Sequence, residues 1–256
     1  MTADETIAGT LRRAVGTRGR RVLLLVTVGV GVLAALALMA GLPPAERTVA
    51  TFGEPVHSFI SVPLPFVGVL IASDLRRTAG ARVLPTLAGA TLIAVAVGLV
   101  GDAIVLAASA ASGSTAPEPW ANVGRIAVAG VLVQVLAQLV GTGLGLLFAR
   151  PVWGCPATIV LPLGAYALLT PLGTTRDWLT PYGAMRHVLG GAGWPRWAIA
   201  ALLWGVVLNA AGVVVSRRRA GRARPGERHG VPAFGAALGD RPDRPGEDLP
   251  IDGARW

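Results

Sequence analysis

Six runs of apolar residues, each long enough to cross a bilayer, are separated by short polar segments in which arginines gather on alternate turns. That pattern leaves few folds open. In hydrocarbon every backbone N–H and C=O must be bonded within the protein, so apolar runs of about 20 residues become helices. The run Phe59–Ala72 and the run Val83–Val100 flank the clearest turn, Ser73-Asp-Leu-Arg-Arg-Thr-Ala-Gly-Ala-Arg82. Arginine-rich short loops resist translocation, which fixes this turn on the cytoplasmic side and sets the sense of every other span.

The predicted spans are about 22–42, 57–73, 83–106, 125–148, 152–172 and 197–215. Both ends of the chain then lie in the cytoplasm. The polar segment 1–21 ends in Arg12, Arg13, Arg18, Arg20 and Arg21, and the last span stops at Arg217-Arg-Arg219. The apolar core of 22–42 exceeds the roughly 7–15 residues of a signal peptide, so it reads as an uncleaved first span. Pro63 and Pro65 fall inside the second span and Pro156 and Pro162 inside the fifth, where each removes a backbone donor and kinks the helix. Residues 173–195 mix aromatic, apolar and charged side chains, which suits short helices at the outer interface, and Trp120 suits the same depth. Residues 217–256 are rich in Pro, Gly, Arg and acids and read as a disordered cytoplasmic tail. The fold class is an all-α, multi-pass membrane protein.

Composition agrees. Only 14% of the 256 residues are charged and 53% are hydrophobic, against about a quarter charged in soluble domains. The formal net charge is +9, and all 23 basic residues are arginines. Their placement at the ends of apolar runs is the signature of membrane orientation and argues against a nucleic-acid partner. With no lysine the chain cannot form a phosphate-binding loop ending in Lys-Ser or Lys-Thr, so it does not hydrolyse ATP by that route. Cys155 has no cysteine to pair with.

Within the spans a few polar residues stand out. Gln134 and Gln138 lie four apart on one helical face that continues into Gly141 and Gly145, spaced for close helix packing. The two glutamines either bond neighbouring helices or line a translocation path. The glycines of Gly141-Thr-Gly-Leu-Gly145 lie late in an apolar helix, the wrong place for a nucleotide loop. Asp102 is an acid deep in an apolar run, where ionisable groups are costly and usually paired. Arg125, at the outer start of the fourth span, is its expected ion-pair partner; a substrate or proton contact is the alternative. Glu54, His57, Asp177 and His187 all fall on the outer side, without the spacing of a dedicated metal site. No cofactor is expected.

Three stretches carry a resemblance: Ile71-Ala-Ser-Asp-Leu-Arg-Arg77, Val140-Gly-Thr-Gly-Leu-Gly-Leu-Leu-Phe-Ala-Arg150 and Asp177-Trp-Leu-Thr-Pro-Tyr-Gly-Ala184. With six spans, both ends inside and a helical outer excursion before the sixth, residues 10–219 resemble the membrane subunits of type-2 ATP-binding-cassette exporters of actinobacterial type. The resemblance implies a permease of the plasma membrane that pairs with itself or a sister chain. A separate cytoplasmic ATP-binding subunit would supply the energy. It also implies that Asp74 is the acid ending the second span and that Arg76, Arg77 and Arg82 belong to a coupling segment, shorter here than is usual in the family. A non-transporting membrane factor, for assembly, regulation or self-protection, is the alternative reading. An enzyme is not expected, because the spans show no paired catalytic groups.

Overall fold

The computed structural model describes residues 7–77, 82–190 and 193–222. Among them there is no strand, and six helical stretches are long and apolar enough to cross a membrane. The chain is an all-α protein of multi-pass membrane type. The predicted tail lies almost wholly outside the described residues.

Helix α1 (Ile7–Gly16) and α2 (Arg18–Gly41) meet at Thr17, whose hydroxyl caps α2 by accepting from the Arg20 N–H at 3.4 Å. Residues 7–16 of the N-terminal polar segment therefore form a helix of their own. Its Thr10 and Ala14, four apart, turn inward, and Thr10 packs beside Gly89 of helix α5 (Val83–Ala111).

The second span begins earlier than predicted, at Val49 instead of His57. Thr48 caps α3 (Val49–Ser61) by accepting from the Thr51 N–H at 3.1 Å, and Pro55 is absorbed within the helix. Val49, Phe52, Val56 and Ile60 form its buried stripe. The helix breaks at Val62 and Pro63 and resumes as α4 (Leu64–Arg77), the interruption that the proline pair predicts.

Helix α6 (Val123–Leu147) is the centre of the bundle, packed against α3, α4 and α5 and against α11 (Leu208–Arg222). The α3–α4 stretch, with 61% of its apolar window buried, and α6, with 50%, form the interior. The first span at 22% and α7 (Pro151–Leu168) at 17% are peripheral and present apolar surface to lipid.

The closest approach is at the break. A Cβ on Gly141 would overlap the carbonyl oxygen of Pro65, and Gly145 lies against Val69 and Ala72 one turn further along. In turn, a Cβ on Gly68 of α4 would sit 2.8 Å from the Gln138 carbonyl oxygen, so the two backbones nearly touch.

The outer segment folds as α8 (Thr175–Leu179) and α9 (Pro181–Leu189), with Thr180 capping α9. The last span is α10 (Trp194–Ala200), a π-helical stretch Ala201–Val207, and α11. The outer loops are tied together by Arg47, which donates to the carbonyl oxygens of Leu42 at 2.9 Å and Ser112 at 2.6 Å.

A larger side chain at Gly141 forces α4 and α6 apart. Gly141→Val is expected to cost about 1–3 kcal/mol, the scale of overpacking, whereas Gly164→Ala, with nothing within 4 Å of its new methyl, should not. Thermal unfolding of both variants in detergent checks this. An unchanged Tm for Gly141→Val would contradict the packing described.

Candidate functional site

A buried His–Asp pair lies inside the bundle. His57 is fully buried on α3, and its Nε2 is 2.9 Å from Asp102 Oδ1 on α5. A carboxylate only accepts, so Nε2 carries the proton and donates. The ring occupies a slot between two glycines: a Cβ on Gly130 of α6 would overlap the imidazole, and one on Gly101 of α5 would stand 2.8 Å from Cε1. Asp102 sits nine residues before the end of α5, about 14 Å from its outer tip at 1.5 Å per residue.

This corrects two expectations. Asp102 pairs with His57 and not with Arg125, whose side chain is exposed at the start of α6. Nor does His57 begin its span, which starts eight residues earlier at Val49. Eight residues into α3, about 12 Å from its start at 1.5 Å per residue, it lies at the depth of Asp102, a juxtaposition hidden by the loop-like stretch Pro43–Val56. The Val49, Phe52, Val56, Ile60 stripe is the signal that would have placed it within the span.

Gln134 joins the pair by donating from Nε2 to the His57 carbonyl oxygen at 2.9 Å. Gln138 is fully buried one turn further inward, and neither of its amide atoms has a partner among the described residues. A further turn on, Thr142 donates to Asn209 Oδ1 at 2.9 Å, and Asn209 Nδ2 donates to the carbonyls of Leu139 at 2.8 Å and Gly205 at 2.6 Å. Gln134, Gln138 and Thr142 thus form a polar ridge along α6. Through Gly205 and Asn209 it holds the π-helical stretch of the last span. Sequence reading found the two glutamines but not Thr142 or Asn209.

Beside this ridge a cleft of about 650 Å³ opens between α3, α4, α6, α7 and α9. Phe59, Val62, Val133, Val140, Ile159 and Leu163 make its walls and floor. Glu54 and Arg186 also line it, and both side chains are exposed with no hydrogen bond or ion pair among the described residues. The size falls in the range of about 300–1,000 Å³ typical of ligand clefts. Next to it α8 and α9 are braced by His187 Nε2 and Asp177 Oδ2 at 3.1 Å, and by the Arg176 guanidinium 4.5 Å from the centre of the Tyr166 ring. Glu54, His57, Asp177 and His187 therefore divide between two separate pairings and a free carboxylate.

At the end of the bundle predicted to be cytoplasmic, Asp74 Oδ2 is 2.6 Å from Arg20 Nη1, both side chains partly buried, which ties the end of α4 to the start of α2. Arg82 precedes α5, and its carbonyl oxygen accepts from Thr86 Oγ1 at 2.8 Å. Arg77 ends α4, but the side chains of Arg76 and Arg77 lie outside the described residues.

No family model matches the chain, and neither a curated protein nor a solved structure matches it.

Removing one member of the His–Asp pair strands the other in an apolar interior. Asp102→Ala is expected to cost about 3–5 kcal/mol, the scale for breaking a buried pair. Asp102→Asn, which still accepts a hydrogen bond, should cost less. Chemical denaturation of single and double variants checks this. If Asp102→Ala and His57→Ala losses simply add, the pair is not coupled.

Proposed function

We propose that the chain is the membrane-spanning permease subunit of a plasma-membrane exporter driven by a separate ATP-binding subunit. It would work as a pair with itself or a sister chain. The observation that carries this reading is the continuous path from the cytoplasmic turn to the outer cleft. Asp74 couples the turn to α2 through Arg20. Above it α4 lies backbone-to-backbone on α6 through Gly68, Gly141 and Gly145, so the two move as one body. At the upper end of that contact the break at Val62 and Pro63 forms one wall of the cleft.

A force on the end of α4 would therefore reach the cleft through the α4–α6 contact. Tight packing has discrete arrangements and does not deform continuously, which is what alternating access needs. The break in the second span supplies the hinge, and the π-helical stretch Ala201–Val207 supplies a second irregular point opposite it. Two short helices before the last span, α8 and α9, agree with the resemblance in the sequence. The energy must come from elsewhere, since the chain has no lysine with which to build a phosphate-binding loop. Arg76 and Arg77 would bring positive charge to a cytoplasmic partner.

Affinity capture of the full chain in mild detergent is expected to bring down an ATP-binding protein. Reversing Arg76 and Arg77 to Glu should lower the yield roughly tenfold, as losing two charge contacts of up to about 1 kcal/mol each implies. Capture without any ATPase, and no effect of the reversal, would overturn the permease reading and favour a non-transporting membrane factor.

A further inference from the structure

We propose that the cleft takes an amphipathic molecule from the outer leaflet. Its single apolar chain lies along the cleft floor, and its zwitterionic head sits between Glu54 and Arg186. The inference rests on the permease reading, for which it names the substrate class.

Depth is the first argument. The cleft runs along the second span from Glu54 to Pro65. Those 11 residues correspond to about 16 Å at 1.5 Å per residue, roughly half of the 30 Å hydrocarbon core. The cleft is thus one leaflet deep and begins at the outer boundary, where the capped start of α3 and the helix α9 lie. A molecule entering it sideways from the outer leaflet leaves its chain at the depth it already occupied.

Charge is the second. Its lining side chains are apolar or carry neutral hydroxyls except for two, the Glu54 carboxylate and the Arg186 guanidinium, both without partners among the described residues. Arginine stays charged at any accessible pH. A purely anionic head would meet repulsion from Glu54, and a purely cationic one from Arg186. A head carrying both charges satisfies both. Ser58 and Tyr182, also lining the cleft, add hydroxyls beside them.

Size is the third. About 650 Å³ accommodates a drug-sized ligand, which suits one chain with a small head. A folded partner's helix would need a longer trough.

The test uses lysophosphatidylethanolamine with a photoreactive diazirine in its acyl chain, added to the full chain in neutral vesicles. The anionic lysophosphatidylglycerol analogue is the comparison. Labelling is expected in the segments 59–62 and 159–163. It should fall roughly fivefold with the anionic probe, and by a similar factor in Glu54→Gln and Arg186→Gln, the effect of one exposed charge contact. Val62→Trp, at a half-exposed wall position, should abolish it while leaving the Tm unchanged. Equal labelling by both probes, indifferent to the two charge variants, would overturn the proposal. So would efficient disulfide formation between copies bearing Phe59→Cys in a Cys155→Ala background, which would assign the face to a second copy. Because labelling needs no ATPase, its failure alongside successful ATPase capture would reject the substrate class and leave the permease reading standing.

Discussion

The fold depends on the contact between α4 and α6. Pro63 and Pro65 interrupt the second span, leave the last carbonyls of α3 without their helical donors, and bring the Pro65 backbone against α6. In a bilayer such a defect must be buried against protein. Gly141 provides the one surface flat enough to receive it, and Gly68 and Gly145 extend the contact along both helices. Other helices take their places around this unit. Helix α5 closes over α3 through the His57–Asp102 pair, and the last span is held by Asn209.

The same economy explains why the polar residues lie where they do. Polar side chains within the bilayer are tolerated when they bond to one another or to backbone. Gln134 reaches a carbonyl on α3, Thr142 and Asn209 bond across α6 and the last span, and His57 shares its proton with Asp102. These bonds specify which helix packs where, a job that apolar contacts do poorly when lipid is as apolar as the neighbouring helix. Gln138 and Ser109 are exceptions, the first buried with both amide atoms and the second with its hydroxyl unpartnered among the described residues.

Much of this was legible in the sequence. Apolar length gave the six spans, because a bilayer imposes one dominant constraint on every segment. The proline pair located the break, and the spacing of Gln134, Gln138, Gly141 and Gly145 located the buried face of α6. What escaped was pairing across the sequence. His57 and Asp102 are 45 residues apart, and the Glu54-Pro55 pair just before His57 resembles a loop, so Arg125 was the expected partner on grounds of proximity along the topology. The Asp74–Arg20 link has the same character. The cleft was equally invisible, since its lining comes from five helices and no local pattern marks it.

The orientation of the bundle, with arginine clusters inside and the cleft opening outward, underlies every functional statement. It rests on charge distribution alone. Single cysteines in a Cys155→Ala background test it directly. Tyr182→Cys, at the mouth of the cleft, should react with a membrane-impermeant maleimide in intact cells. Arg218→Cys, beyond the last span, should react only after permeabilisation. The reverse pattern would contradict the account.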